Sequence, residues 1–503
     1  MSPERVPVEA NGRSARTRRF KLFFLDRASA VSLQAQLTSQ IKELIRTGQL
    51  AAGDRLPSSR DLAANLRVSR NTVVYTYDRL VSEGYLHSRL RSQICVAESA
   101  PELQRAVRER VRDRQAVPVP ATVLISGGSA APIPFRPCQP DVQLFPLAMW
   151  NRLRSRSLRS SHRSLLHYHS AAVLGLRELR ENLAAYLRES RGVRCEWWQV
   201  AITTGSQQAL YLLAQILLNR GDRVYMEDPG YQGAVRAWRA AQAQILYLPV
   251  DAEGAMIPAL ADHPAKLIYV TPSRQFPTGV SLSLTRRLAL VNGAGDSSTW
   301  IIEDDYDSEF RYDAAPLPSL QNLDACGRVI YIGTFSKLLF PALRLGYAVL
   351  PVSLVERFQE LKSVVDDHGP MIDQATLAAF LDTGAFYSHI RRCHRFYAER
   401  QRTFLEAIQK GGLPFDFRYT DGGMNLTGFL PREFDDIESS ARLRRAGLDV
   451  PALSSYSERA VAAHSAASDE NPPCEPGLVF GFTAFAPERI RAGVENVLRT
   501  GLR

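Results

Sequence analysis

Little in this 503-residue sequence points to cross-linking, to a metal or to a membrane. The cysteines at positions 95, 138, 195, 326, 393 and 474 are scattered, with no Cys-x-x-Cys pair and no metal-ligand spacing. In so long a chain they read as reduced thiols of a cytoplasmic protein, and no metal is expected. No stretch reaches the roughly 18 apolar residues that a spanning helix needs, so no membrane partner is expected. The start is basic, but Leu22-Phe23-Phe24-Leu25 is too short for the apolar core of a secretion signal. Lysine is scarce, confined to Lys21, Lys42, Lys266, Lys337, Lys362 and Lys410.

What the chain does have is arginine, and a formal charge of +10. The arginines are dense in the first 115 positions, a distribution that suits a polyanionic partner. Hydrophobic residues make up 45% and charged residues 23%, enough for a large core. The length suits roughly two to four domains. Residues 1–24 read as a basic disordered segment and 25–97 as a helical unit ending in a β-type run. Residues 98–134 read as a linker: a charged stretch of helical character to Arg114, then Val117-Pro118-Val119-Pro120 and a glycine- and proline-rich run. A surface loop within one domain is the alternative there. From Phe135 to the end, helices alternate with short apolar strands, as at Val200–Thr203, Arg223–Met226, Leu267–Val270, Trp300–Ile302 and Val329–Ile332. That alternation predicts an α/β domain with a parallel sheet covered on both faces, its large part over about 145–370. A smaller α+β part is expected over about 371–503.

In the first unit, Leu33, Leu37, Ile41, Leu44 and Ile45 mark a one-faced helix stopped by Gly48. A second helix opens at Ser58 or Ser59, and a third follows Ser69, with Val73, Val74, Tyr77, Leu80 and Val81 inward. Two short helices across a tight turn, the second opening on Arg, Asn and Thr, form a helix-turn-helix pattern. Its first turn would face base edges, and Arg and Asn are the side chains that bind guanine and adenine bidentately. Leu56-Pro57-Ser58-Ser59-Arg60-Asp61-Leu62-Ala63 and Val68-Ser69-Arg70-Asn71-Thr72-Val73 resemble the GntR family of winged-helix regulators. The resemblance implies double-stranded promoter DNA as partner. Arg55, Ser59, Arg60, Ser69, Arg70, Asn71, Thr72 and Tyr75 become candidates for contact, joined by Arg89 and Arg91 on the wing. The usual wing glycines are replaced here by Ser88-Arg89-Leu90-Arg91-Ser92-Gln93.

In the second unit, Thr334-Phe335-Ser336-Lys337 follows an apolar strand, and Arg344 stands seven residues after the lysine. A lysine that forms an imine needs a phosphate anchor beside it, and hydroxyls with an arginine provide one. Gly205-Ser206-Gln207 sits between a strand and a helix start, where backbone N–H groups bind phosphate. Tyr231 follows Asp228-Pro229-Gly230 at another strand end, and Asp304 and Tyr306 close a buried strand. In order and spacing these pieces resemble fold-type I, class I aminotransferases, whose cofactor is pyridoxal 5'-phosphate. The resemblance implies an internal aldimine on Lys337, Asp304 at the pyridine nitrogen, Tyr231 on the ring and Tyr306 near its phenolic oxygen. It also implies a phosphate site from Gly205, Ser206, Gln207, Thr334, Ser336 and Arg344.

Class I enzymes carry Asn-Pro-x-Gly where this chain has Gln275-Phe276-Pro277-Thr278-Gly279. The run from Thr271 to Gly279 resembles instead the MocR/GabR subfamily of GntR regulators, although Arg274 stands where that subfamily commonly has His. Both halves in this order match that subfamily. It implies a regulator rather than an enzyme, a head-to-tail homodimer and a small amine or amino-acid effector. The arginine that clamps a substrate carboxylate is missing between Pro476 and Pro487, with Arg459 and Arg489 the nearest. A working aminotransferase with an appended DNA module, and a sensor of pyridoxal phosphate itself, remain open.

Overall fold

Serines at three helix starts organise the first unit. A computed structural model describes residues 23–98 (apart from 28, 30 and 90–92), 133–160, 164–168, 172–312, 318–460 and 474–501. These fall into two compact units, divided between residues 128 and 129. The expected disordered start and most of the expected linker lie outside the described residues. Helices α1 (Leu33–Arg46), α2 (Ser59–Leu66) and α3 (Arg70–Ser82) are capped by Ser32, Ser58 and Ser69, each side chain accepting a backbone N–H of the first turn. Such a cap contributes about 1 kcal/mol. Arg67, left-handed at φ 52°, ends α2 and turns the chain into α3. Leu37, Ile41, Leu62, Val73 and Leu80 are fully buried against one another, as the apolar spacing predicts. Tyr77 joins them and donates its hydroxyl to Pro57 O at 2.8 Å. Strands β1 (Leu86–Arg89) and β2 (Gln93–Val96) pair antiparallel, Leu86 opposite Val96 and Arg89 opposite Gln93. The wing turn at 90–92, with Arg91, and the Arg89 side chain lie outside the described residues.

The second unit is built on an eight-stranded sheet. Its strands are β3 (Val200–Thr203), β4 (Arg223–Asp228), β5 (Gln244–Asp251), β6 (Gly254–Ala255), β7 (Leu267–Val270), β8 (Trp300–Asp305), β9 (Val329–Thr334) and β10 (Gly346–Val349). They lie in the order β3-β10-β9-β8-β7-β4-β5-β6. The five strands from β9 to β5 are parallel, but β10 runs antiparallel to both neighbours and β6 antiparallel to β5. The expected parallel sheet is therefore a mixed one. Apolar composition reports burial on both faces, not strand direction, so β10 could not be oriented from its residues. Burial on both faces is visible in β9: Tyr331 enters one core cluster, while Ile330 and Ile332 enter another across the sheet.

The smaller part pairs β11 (Asn425–Phe429) with β12 (Gly477–Gly481) antiparallel. Its core gathers Phe404, Leu426, Phe480 and Val494 around Phe135. Phe135 is left-handed at φ 65°, and its carbonyl accepts the Gly481 N–H at 2.8 Å. The chain that leads into this unit is thereby fixed in the smaller part before it reaches the larger one. In open α/β sheets, ligands gather beyond the carboxyl ends of the strands. Here those ends belong to β4, β8 and β9, and they carry Asp228, Asp304 and Thr334.

Candidate functional site

Two helix starts meet on the outside of the first unit. The N-terminus of α3 presents Ser69, Arg70 and Asn71 to solvent, with Thr72 half-buried behind them. Arg60 is exposed on α2, and Arg70 Nε donates to the half-buried Ser59 Oγ at 3.5 Å. Tyr75, one turn further along α3, is 54% exposed on the same side of the unit as Arg70 and Asn71. Arg55 is exposed on the segment that bridges to Cys95 of β2. The same helices bury Leu62 and Val73, so the face that carries Arg60, Arg70 and Asn71 is the one the core does not use.

In the second unit a cavity of about 330 Å³ opens at the carboxyl ends of the strands. Ser206, Tyr231, Asp304, Tyr306, Thr334 and Lys337 all line it. Helices Ser206–Leu217 (labelled α4) and Gln232–Ala240 (α5) follow β3 and β4, and Lys337 lies on a short helix, Phe335–Leu338 (α6), after β9. Thr334 caps α6, its Oγ1 accepting the Ser336 N–H at 3.2 Å. Lys337 Nζ donates to the carbonyl of Cys138 at 3.1 Å, a contact across 199 residues. Ahead of α4, Gly205 has φ 96° and leaves the helix start without a side-chain cap. A Cβ there would stand 3.1 Å from Arg344 Nη2, so glycine is what lets the guanidinium approach this turn. Arg344 in turn donates to Thr204 O at 2.9 Å. Gln207 is not on the cavity wall; its amide donates to Gly233 O at 2.9 Å and steadies the start of α5 behind Tyr231.

The electrostatics of the cavity are those of buried groups short of partners. Asp304 Oδ2 accepts the Tyr269 hydroxyl at 2.8 Å. Asp304 Oδ1, the Tyr306 hydroxyl and Ser336 Oγ are buried with no hydrogen-bond partner among the described residues. Three such atoms around one lysine form a polar set that a bound polar ligand would satisfy. Burial pushes the Asp304 carboxyl up to about 7, Asp305 adds to the rise, and Tyr269 and Lys337 pull it back. Burial also raises the Tyr306 hydroxyl well above its ordinary value. Phe276 sets its ring edge-on to both Tyr231 and Tyr306, at 6.1 and 5.8 Å. A flat heteroaromatic ring with a basic nitrogen, an ionisable hydroxyl and a phosphate matches this donor set: a carboxylate, a phenol, hydroxyls, a helix N-terminus and an arginine.

Comparison with known proteins bears on both units. Residues 33–96 match the model for bacterial regulatory proteins of the gntR family. Residues 154–457 match that for class I and II aminotransferases. The chain is 37% identical over 490 residues to the probable rhizopine catabolism regulatory protein MocR of Rhizobium meliloti, covering 95% of each. It belongs to the MocR-type regulators of the GntR family. It is likewise 35% identical over 439 residues to the transcriptional regulator TauR of Rhodobacter capsulatus, covering 85% of this chain and 90% of TauR. Among solved structures it resembles the α-aminoadipate aminotransferase LysN of Thermus thermophilus, complexed with N-(5'-phosphopyridoxyl)-L-leucine. That likeness has a TM-score of 0.64 and 28% identity, over 73% of this chain and 91% of LysN. The fold is thus a winged helix-turn-helix unit joined to a fold-type I aminotransferase unit. Among the described residues no helix is long and apolar enough to cross a membrane.

For a MocR-type regulator, the surroundings of Arg274 are informative. Its Nη2 donates to Asn425 O at 2.6 Å, while Asp307 stands 3.6 Å from its Nε and Asp421 3.5 Å from its Nη1. A Cβ on Gly423 would fall 2.0 Å from its Nε, so the larger side chain occupies space that glycine leaves free. Arg459 is held by Asp228 at 2.5 Å, and Arg489 lies over the Phe485 ring. Neither lines the cavity. Sequence reasoning missed Tyr269 and the Cys138 carbonyl. Tyr269 carries no signal apart from its place in β7, and a carbonyl carries none at all.

Proposed function

We propose that this MocR-type regulator binds promoter DNA through the start of α3 and senses a small amine or amino acid in the Lys337 cavity. The observation that carries the reading is the set of orphaned buried atoms around Lys337, in a chain whose first unit leaves Arg60, Arg70 and Asn71 exposed. Bound pyridoxal phosphate would supply an aldehyde that captures amines and a pyridine ring that withdraws electrons. Lys337 would be its anchor, placed to hold the cofactor where an effector's amine would meet it. Asp304 would hold the proton of the ring nitrogen, Tyr306 would donate toward the phenolic oxygen and Tyr231 would lie against the ring. The α4 N-terminus with Gly205, Ser206, Thr334, Ser336 and Arg344 would hold the phosphate, and Gln207 would act from behind by fixing α5.

On the DNA side, Arg70 and Asn71 read bases and Arg60 binds phosphate, with Arg55, Ser59, Ser69, Thr72 and Tyr75 flanking them and Arg89 and Arg91 on the wing. Two copies arranged head to tail would present two such readers. An effector changes promoter binding only if it binds one arrangement of the chain better than another. The resemblance to aminotransferases keeps a second reading in play, residual transamination. The test is to measure binding to the promoter upstream of the protein's own gene, with and without cofactor and amines, alongside turnover of amino donors. Cofactor-dependent promoter binding that amines alter is expected. Response to cofactor alone would make this a pyridoxal phosphate sensor, and rapid turnover without DNA binding would overturn the proposal.

A further inference from the structure

Behind the turn that opens α4 lies a fully buried lysine outside the set of cofactor-binding candidates. Lys362 stands on helix α7 (Val352–Val365), which packs along α4. The two helices run in opposite directions. Arg357 Nη2 donates to Ile216 O at 3.1 Å near the end of α4, while Asp366, just past α7, meets Gln208 near its start. Leu354 and Phe358 share a core cluster with Leu210, Leu213 and Leu217.

A lysine with no exposed surface is kept only when it is paired. Its Nζ donates to Asp366 Oδ1 at 2.6 Å. Asp366 Oδ2 accepts from Gln208 Nε2 at 2.9 Å. Gln208 Oε1 in turn accepts the Thr204 N–H at 2.8 Å, and Thr204 O accepts from Arg344 Nη2 at 2.9 Å. Thr204 is thus held at both of its backbone groups, and Ser206, two residues on, lines the cavity. Chemistry sets the direction of this row. A carboxylate only accepts, so it turns the Gln208 NH2 toward itself and leaves the amide oxygen for Thr204. Reversing that amide would set oxygen against oxygen at Asp366 and donor against donor at Thr204.

Resting on the reading that this cavity holds pyridoxal phosphate, we infer that Lys362, Asp366 and Gln208 are positioning residues for its phosphate. They act through the turn from Thr204 to Ser206, which they fix in the shape that a phosphate fits. Selection of the phosphorylated cofactor over plain pyridoxal then depends on an ion pair behind the site.

The experiment titrates full-length apo-protein with pyridoxal 5'-phosphate and with unphosphorylated pyridoxal. Binding is followed by the visible absorption band and by thermal stabilisation. The readout is the ratio of the two affinities, which a general loss of packing would not move. Wild-type protein should prefer the phosphorylated aldehyde. Gln208→Leu loses both bonds of the relay and should cut that preference roughly tenfold, with pyridoxal affinity unchanged. The double variant Lys362→Met/Asp366→Leu replaces the pair by apolar side chains, a change that buried ion pairs often tolerate. It should cut the preference by a smaller factor, because Gln208 still reaches Thr204. A preference unchanged in both variants, or affinities for both aldehydes that fall together, overturns the relay and leaves cofactor binding standing. Wild-type protein that binds neither aldehyde, or binds both alike, removes the phosphate site itself and the relay with it.

Discussion

The two units of this chain carry their functional groups in opposite ways. In the helix-turn-helix unit, Arg60, Arg70 and Asn71 stand outside a core that is complete without them. In the aminotransferase unit, Asp304, Tyr306 and Ser336 are buried, and each carries one side-chain oxygen without a partner among the described residues. On the proposed reading, the first unit would bind through what projects from its core. The second holds buried polar atoms that a bound polar ligand would satisfy, and binding there must offset their desolvation. A surface of the first kind is set by local structure, whereas a cavity of the second kind depends on contacts between distant parts of the chain.

The contrast is broken most severely at Lys337. Lys337→Ala should abolish the visible absorption band of the cofactor-loaded protein and the response to amines, while the isolated DNA contact survives. Loss of DNA binding in parallel, seen by gel shift, would mean that the units are not separable. Asp304→Asn should weaken cofactor binding by roughly 10- to 100-fold, the usual worth of a hydrogen bond to a charged group. Fluorescence titration of apo-protein would measure it, and an unchanged affinity would remove Asp304 from the ring nitrogen.

On the reader, Arg70→Ala should weaken specific promoter binding by about 1–3 kcal/mol and relax specificity at one base position. Equal losses on specific and random DNA would make Arg70 a phosphate contact instead. Ser69→Ala should cost about 1 kcal/mol in the first unit's stability without touching the cofactor, as circular dichroism melts and absorbance would report.

A pH test separates the two units more finely. Burial raises Glu227, Glu303, Asp304 and Asp307 to about 7 in the second unit, against roughly 4 for such groups in an unfolded chain. The folded form therefore binds more protons between those values. Their contribution is complete below about pH 4 and is lost as pH rises through about 7. The melting temperature of the apo second unit should fall between pH 5 and 8, and Asp304→Asn should flatten part of that fall. A melting temperature that rises with pH would contradict the assignment.

Much of this was legible in the chain itself, for reasons that differ between the units. The caps Ser32, Ser58 and Ser69 and the apolar rows they precede are local signals, so the three helices of the reader could be placed within a residue or two. Lys337, Asp304 and Tyr231 were legible because strand ends and turns announce them. The Tyr269–Asp304 bond spans 35 residues and the Lys337–Cys138 bond 199, and no spacing rule connects residues so far apart. The antiparallel direction of β10 and the place of Phe135 in the smaller part were hidden for the same reason. Arg274 was visible as a departure from its subfamily, but not as a residue pinned between a loop of the larger part and β11.

The bond from Lys337 to the Cys138 carbonyl has a thermodynamic consequence for signalling. That carbonyl is three residues from Phe135, which anchors the incoming chain in the smaller part. A lysine drawn to another partner leaves a buried carbonyl wanting a donor, at a cost of about 1–3 kcal/mol. Coupling free energies between distant sites are of that same size. One hydrogen bond is therefore large enough to make the entering chain's position report what has become of the lysine.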